Sequence, residues 1–483
     1  MAGRRSAARM QLVEVDEAPV AMPSSEPLTS PDAPEPGAVP PRGGALRVVR
    51  RWWPVGAAVV LAAGAVVLVG VARDRAFVER VGSVPGLVRP LADVPQERWR
   101  APASADVGAV VAAGDALVLV SERDGRWVVT AHDAHDGAVR WSLDAAPVQR
   151  SGFESSLVRC PSSGEDVGAL VLCLVTEPRV VYSDDASIQE PAHTHVVALD
   201  AATGAERGTW ELTDELLSAD RRGDDLVVAT VDRDGHVLAE RREGTTGEAL
   251  WSFRTPDVLD SALLGRVVDA WTERGVLVLE GVVTHVLDVD DGAVLTVGGP
   301  YRDPQVVALD EGYATWATVG GGEVHGADGE VRFPVAGLPE RFHLDDGSAG
   351  DVLVVDEGPN LRGVDAASGE PLWSTPTMLD VRARVSDRLL LAGLTRFGVL
   401  DPRSGRLLWV SDAGEPAPWQ PLTDGALVLA PGQGVGGDPQ LVGLGLDDGV
   451  KFWSVDLPPG VQRVDGFGGH LVVRTADEAV LLS

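Results

Sequence analysis

One short phrase returns along this chain and constrains its fold more than any other feature. It reads V-A-L-D-A-A-T-G-A-E-R-G-T-W at residues 197–210, G-V-D-A-A-S-G-E-P-L-W at 363–373 and V-L-D-P-R-S-G-R-L-L-W at 399–409. In each copy an apolar run of strand length leads to Asp, a turn contains Gly, and a second run ends on Trp. The phrase therefore predicts a β-hairpin that the chain uses repeatedly.

Eight such hairpins align on their turn glycines, which are 36 to 45 residues apart except for one interval of 67. The glycines are Gly137, Gly204, Gly247, Gly292, Gly329, Gly369, Gly405 and Gly449. In six copies an aromatic residue lies four positions after the turn glycine. In the second copy Trp210 lies six positions after it, and in the fourth copy Thr296 occupies the fourth position. A repeat of this length with four short strands indicates a β-propeller, in which each blade buries its faces against its neighbours.

Each position of the phrase has a physical role. Glycine accepts a positive φ in a tight turn, the aspartate side chain can accept hydrogen bonds from turn backbone, and the tryptophan is expected to pack between neighbouring sheets. These structural repeat positions are Asp200, Gly204, Trp210, Asp365, Gly369, Trp373, Asp401, Gly405 and Trp409.

The number of blades follows from the copies. Residues 461–483 begin one more unit, and Glu97–Arg100 is a candidate for its missing outer strand, which would close the ring by joining the two ends of the chain. Counted literally, this gives nine units, but the fourth and fifth copies are weak and we expect one weak copy not to form a blade. We therefore predict an all-β fold over residues 96–483, an eight-bladed propeller of four-stranded blades, with seven blades as the alternative.

The A-L-D-A-x-T-G-x-x-x-W phrase resembles the repeat of the pyrroloquinoline-quinone-type (PQQ-like) β-propellers. That family includes quinoprotein alcohol dehydrogenases and the outer-membrane assembly propeller lipoprotein. The likeness covers about residues 95–483; it is close in the second, sixth and seventh copies and weak in the fourth and fifth. It implies a fold and no single activity, because one fold hosts many functions.

The resemblance also implies what a quinone-dependent enzyme would need. Such dehydrogenases carry a disulfide of adjacent cysteines, a tryptophan beneath the cofactor, and a calcium site built from Glu, Asn and Asp. Here the cysteines are not adjacent, and Asn360 is the one asparagine in the chain. We therefore expect no cofactor. Whether the chain is an enzyme stays open: a non-catalytic protein is favoured, and an oxidoreductase or hydrolase site in the propeller funnel is the alternative.

Histidines offer the weak candidates for a metal site. His193 and His195 are two residues apart, so on a strand they share one face; otherwise they are ordinary polar positions. His132 and His135 would point to opposite faces of a strand. The acidic run 288–292 lacks the ligand spacing of a calcium loop. Without a catalytic motif in the sequence, we expect no catalytic, cofactor-binding or metal-binding residue.

The two cysteines, Cys160 and Cys173, fall in consecutive strand candidates separated by a turn-like P-S-S-G-E-D stretch. Adjacent antiparallel strands would bring them within disulfide range, and a bridge is typical of an extracytoplasmic domain. Free buried thiols are the alternative.

The N-terminal part of the chain divides into three predicted segments. Residues 1–51 have the composition of a disordered cytoplasmic tail. The 21 uncharged residues of 52–72 would span about 31 Å as a transmembrane helix, with a cleaved signal peptide or a buried helix as alternatives. Residues 73–95 would form a juxtamembrane stalk.

Charge sets the predicted orientation and excludes one class of partner. Arg42, Arg47, Arg50 and Arg51 precede the apolar segment, which favours a cytoplasmic N-terminus and an extracytoplasmic propeller in a single-pass protein of the cell membrane. Residues after the segment include 34 basic and 66 acidic side chains, a balance that argues against nucleic-acid binding.

These observations predict a membrane-tethered, non-catalytic binding scaffold. Its rim loops would contact an unidentified protein or envelope partner, and residues 52–72 would contact the membrane. The alternatives are the funnel enzyme and an extracellular sensor that passes a signal to residues 1–51.

Overall fold

The structure is a computed structural model. It describes residues 84–483, apart from residues 85, 92, 106–107, 152–153, 163–167, 184–185, 260–267, 299–303, 318–319, 343, 413–418 and 435. The predicted tail 1–51, the predicted transmembrane segment 52–72 and the first part of the predicted stalk 73–95 lie outside the described residues. Within the described part of the chain, no helix has the length and apolar character needed to cross a membrane.

Nine antiparallel sheets follow one another along the described residues, each with four strands, and we number them blades 1 to 9. Blade 1 comprises Val110–Ala113, Ala116–Arg123, Arg126–Asp133 and Val139–Pro147; blade 2, Leu157–Arg159, Leu170–Ser183, Ala186–Asp200 and Glu206–Leu212; blade 3, Glu215–Arg222, Asp225–Val231, Val237–Glu243 and Ala249–Arg254. Blade 4 comprises Asp269–Glu273, Val276–Glu280, His285–Asp288 and Val294–Val297; blade 5, Gln305–Leu309, Gly312–Ala317, Gly321–His325 and Val331–Val335; blade 6, Leu338–Pro339, Val352–Asp356, Asn360–Asp365 and Pro371–Pro376.

Blade 7 comprises Asp380–Val385, Arg388–Ala392, Arg396–Leu400 and Leu407–Asp412; blade 8, Leu422–Thr423, Leu427–Gln433, Pro439–Gly445 and Lys451–Asp456; blade 9, Arg463–Phe467, His470–Arg474, Glu478–Leu482 and Glu97–Pro102. Leu344–Asp345 adds a short parallel strand to blade 7, and Arg150–Ser151 pairs with Glu154–Ser155.

The prediction of eight blades, with seven as the alternative, is wrong: the all-β fold is a nine-bladed propeller. Both weak copies form complete sheets, blades 4 and 5. Their backbone groups pair, and their apolar runs are buried, without the repeat tryptophan. Backbone hydrogen bonding and burial of Val and Leu are enough to form a blade. A copy that matches the repeat phrase poorly can therefore still form one.

The ninth blade joins the two ends of the described chain. Glu97–Pro102 pairs antiparallel with Glu478–Leu482, and Arg100 lies opposite Val480. The prediction that Glu97–Arg100 supplies the missing outer strand is therefore confirmed. Closure of this kind leaves no blade without a neighbour on either side.

The core lies between blades and within their middle strands. Ala116 to Ser121 of blade 1 is buried without interruption, as expected for a strand covered on both faces. Val118 and Val129 of blade 1 belong to one apolar cluster with Val171 and Val197 of blade 2. Each blade thus completes its core with the next one.

Residues 86–91 belong to the segment predicted as a stalk, and the structure places them against blades 7 to 9. Leu87 and Val88 are fully buried. Val88 forms a parallel bridge with Gly469, and the backbone N–H of Leu91 donates to Asp424 Oδ2 at 2.9 Å.

The two faces of the propeller are named by the turns that they carry. The 1–2 face carries the turns between the first and second strands of the blades, and the opposite face is the 2–3 face. Residues 86–91 lie on the 1–2 face.

Candidate functional site

The first strands of the blades surround a common central cavity, the central chamber, with a volume of about 680 Å³. One residue from each contributing first strand illustrates the arrangement: Val110, Arg159, Asp220, Trp271, Arg382, Leu422 and Asp465. No sequence motif marks the chamber, because its lining comes from seven blades.

A second cavity of about 540 Å³ lies at the 2–3 face of blades 4 to 7. It is built from the beginnings of first strands and the ends of second strands, where the sequence repeatedly places a carboxylate. Its charged side chains are Asp269, Glu280, Glu340, Asp356 and Asp380, with Arg341 and Arg382. We call this cavity the acidic mouth, because five carboxylates face two guanidinium groups.

Glu340 is the most perturbed carboxyl group of the acidic mouth. It follows the two-residue first strand of blade 6, and its backbone N–H donates to the carbonyl of Val354 at 2.9 Å. Burial, together with the like charges of Asp356 and Asp380, raises the pKa of Glu340 to about 7, against the opposing effect of Arg382. Among the described residues around Glu340, the repulsion by Asp356 and Asp380 therefore exceeds the attraction by Arg382.

Trp271 shows how this cavity holds a cation. The guanidinium of Arg341 lies 5.0 Å from the centre of the Trp271 ring, and Arg341 Nε is 2.7 Å from Glu273 Oε2. Trp271 Nε1 in turn donates to Glu280 Oε1 at 3.3 Å. An aromatic face combined with carboxylates is a favourable environment for a guanidinium or ammonium group.

An ion-pair network joins blades 4 to 7 on the opposite, 1–2 face. Arg384 donates to Asp345 through Nε at 2.8 Å and through Nη2 at 2.7 Å, and Arg274 Nη2 donates to the same carboxylate at 2.8 Å. Asp310 of blade 5 contacts both arginines. Because the charges are matched within the network, we assign it a structural role in this part of the ring.

The structure places His193 and His195 in the third strand of blade 2, half-buried on one face, on either side of buried Thr194. His193 Nε2 is 3.5 Å from Glu211 Oε2. Among the residues that the structure describes, no group of three or more His, Cys, Asp or Glu side chains is arranged to hold a metal ion.

Cys160 and Cys173 are joined in a disulfide and are buried. Cys160 follows the first strand of blade 2, and Cys173 lies in the second strand. The bridge therefore fixes the innermost strand of this blade to its neighbour, next to the Arg159 side of the central chamber.

Comparisons with known proteins bear on the fold alone. No family model matches the sequence, and no curated protein matches it. Solved structures that resemble it include BamB from Moraxella catarrhalis, 14% identical over 81% of this chain and 100% of that one, with a TM-score of 0.44. The computationally designed Ika8 protein is 13% identical over 80% and 99%, with a TM-score of 0.43. A europium-containing methanol dehydrogenase is 11% identical over 82% and 90%, with a TM-score of 0.38. These values transfer no function to this chain.

Proposed function

We propose that this chain is a non-catalytic binding scaffold whose acidic mouth receives a basic segment of a protein partner. The observation that carries the proposal is the uncompensated negative charge around Glu340. A lysine or arginine from a partner would relieve the repulsion among Glu340, Asp356 and Asp380 and would gain charge-assisted hydrogen bonds. The internal contact of Arg341 with Trp271 and Glu273 is an example of such binding within the chain.

The location proposed for the scaffold is the outer side of a cell membrane, with residues 52–72 as its tether and residues 1–51 in the cytoplasm. The uncharged 52–72 segment and the arginines before it support this placement. The disulfide between Cys160 and Cys173 supports it too, since such bridges persist in oxidising compartments. The sequence pointed to the rim loops as the contact surface, and the carboxylates favour the acidic mouth instead.

A matched pair of charge variants tests the proposed function in the full-length protein in detergent. The mouth variant combines Glu340→Gln, Asp356→Asn and Asp380→Asn. The control variant combines Asp234→Asn, Glu248→Gln and Asp438→Asn, which removes the same charge from exposed positions outside the mouth. The probe is a fluorescent hexapeptide of alternating Arg and Gly, titrated at several salt concentrations.

We expect the mouth variant to weaken binding of the probe by about tenfold or more, which corresponds to at least about 1.4 kcal/mol, and the control variant to leave it within about twofold. An equal loss of affinity in both variants would mean that peptide binding depends on the net charge of the protein alone, and the proposal would fail. A photoreactive residue at Gln305, which lines the mouth, should then cross-link the natural partner through a Lys- or Arg-rich segment, whereas one at exposed Val139 should not.

A further inference from the structure

We propose that the central chamber is a separate binding site for a small organic anion that carries a carboxylate or a phosphate group. The described residues that line the chamber include four arginines and two aspartates: Arg159, Arg382, Arg463 and Arg474, with Asp220 and Asp465. Basic side chains thus outnumber acidic ones in the described lining, within a chain of 72 acidic and 41 basic residues. This local excess of arginine is opposite in sign to the net charge of the whole protein, and a bound anion would explain it.

Two of the four guanidinium groups have unused donors inside the chamber. Arg159 is half-buried and makes no side-chain hydrogen bond to a described residue; burial lowers its pKa, and the charge of Asp220 opposes this effect. The Nε of Arg382 is buried and has no acceptor among the described residues, while its Nη2 donates to Asp380 at 2.8 Å. A buried donor without an acceptor, such as Nε of Arg382, is costly, and an oxyanion supplies acceptors in the geometry that a guanidinium prefers.

Asp220 acts on Arg159 through its charge, and no hydrogen bond joins the two side chains. Burial raises the pKa of the Asp220 carboxyl group, against hydrogen bonds from Thr272. The guanidinium donors of Arg159 are therefore not taken up by this carboxylate, and a bound anion would accept from them.

The opposite wall carries two arginines that contact one aspartate, and an apolar surface. Asp465 accepts from Arg474 Nε at 3.1 Å and from Nη2 at 2.9 Å, and Arg463 Nη2 approaches its other oxygen at 3.4 Å. One carboxylate is therefore shared by two guanidinium groups. Leu217, Leu422 and Phe467 also line the chamber, so the ligand would place a carbon skeleton beside its charged group.

Trp271 and Arg382 line both the chamber and the acidic mouth, so the two cavities are neighbours, and the chamber also reaches toward blade 9. Arg463 begins the first strand of blade 9 and therefore lies toward the 2–3 face, and its side chain is 46% exposed. At the 1–2 face, Gly86 packs closely against Leu344: a Cβ added to Gly86 would lie 2.5 Å from Leu344 Cδ2. An anion would enter at the 2–3 face past Arg463, away from the carboxylates of blades 4 to 7.

The test uses the full-length protein with sodium phosphate, sodium succinate and uncharged succinamide as probes, at constant ionic strength. Thermal unfolding and isothermal titration calorimetry report binding. Arg159→Gln and Arg382→Gln remove the two donors with unused capacity. Arg396→Gln is the control, because Arg396 is 60% exposed and pairs with Asp412 on the outer strands.

We expect phosphate or succinate to bind and to raise the unfolding temperature, succinamide to have no effect, and affinity to fall by about tenfold or more in Arg159→Gln and Arg382→Gln but not in Arg396→Gln. A response to phosphate alone would assign a phosphate ligand, and one to succinate alone a carboxylate. Absence of binding by both anions, or equal binding by Arg159→Gln and Arg396→Gln, would overturn the proposal.

Discussion

The indole ring of Trp373 in blade 6 lies against Gly405 in the turn of blade 7. A Cβ at Gly405 would be 2.5 Å from Cδ2 of Trp373, and Trp373 Nε1 donates to the carbonyl of Pro402 at 2.6 Å. The same relationship recurs between neighbouring blades, in the pairs Trp99–Gly137, Trp141–Gly204, Trp210–Gly247, Trp251–Gly292, Phe333–Gly369 and Trp409–Gly449. The glycine of the phrase thus serves two purposes: it adopts a positive φ and it admits the aromatic ring of the preceding blade.

Alanine at Gly405 should therefore destabilise the protein more than alanine at a glycine that only needs a positive φ. Gly125 is the matched control, since its φ of 72° is close to the 68° of Gly405 and no atom lies within 4 Å of its Cβ position. We expect Gly125→Ala to cost about 1 kcal/mol of unfolding free energy and Gly405→Ala about 2 kcal/mol more. Urea denaturation followed by circular dichroism measures both, and equal losses would contradict the role of ring contact.

The closing strand pair should be sensitive to a buried charge. Val480 is fully buried opposite Arg100, whereas Val139 at the outer surface is 60% exposed. We expect Val480→Asp to cost about 3–5 kcal/mol, because it buries a carboxylate where the ring closes, and Val139→Asp to cost less than about 0.5 kcal/mol. Thermal unfolding of the two variants provides the comparison. A Val480→Asp protein as stable as Val139→Asp would mean that the ring does not depend on this pair.

The sequence predicted the propeller because its repeat is local: Asp401, Gly405 and Trp409 lie within one hairpin. It misjudged the number of blades because blade 4 has Thr296 where the other copies have an aromatic residue, and there the backbone of Leu295 lies against Gly329. The acidic mouth and the central chamber had no local signal. Glu340 and Asp380 are forty residues apart in the chain and meet only because first strands converge on one axis.

Removing the disulfide should loosen blade 2. The bridge joins residues 13 positions apart, and closing a loop of about 15 residues contributes about 3 kcal/mol. We expect the Cys160→Ala, Cys173→Ala double variant to lose about 2–4 kcal/mol of unfolding free energy. Alkylation of the denatured protein should add mass at both cysteines only after reduction. Labelling of both cysteines without a reductant would show that the thiols are free in the isolated protein.

Glu340 should make stability fall as pH rises toward neutrality. Its pKa is raised from 4.5 to about 7 in the folded chain, so its protonated form is favoured on folding. The resulting stabilisation is complete below pH 4.5 and is lost as pH increases through about 7, with an upper bound of roughly 3 kcal/mol. We expect Glu340→Gln to gain stability relative to the wild type across this interval, and Glu330→Gln, at an exposed position, to follow the wild type. Parallel pH profiles for all three proteins would contradict the assignment.

His285 should produce the opposite dependence. It is 1% exposed in blade 4, its ring lies 5.7 Å from that of Phe253, and neither of its nitrogens has a hydrogen-bond partner among the described residues. Burial lowers its pKa below 6.5, against the weaker effect of the charge on Asp257. Its neutral form is therefore favoured on folding, and the associated stability is complete above pH 6.5 and lost as pH falls through the lowered pKa.

Replacing His285 by Phe removes this titration while keeping an aromatic ring in the site. We expect the unfolding free energy of His285→Phe to exceed that of the wild type increasingly as pH falls below 6.5, and the difference between the two proteins to be constant above that pH. Denaturation at a series of pH values in the Glu340→Gln background separates this effect from that of Glu340, because the two groups change stability in opposite directions. A constant difference at every pH would show that His285 accepts a proton in the folded protein as readily as in the unfolded chain.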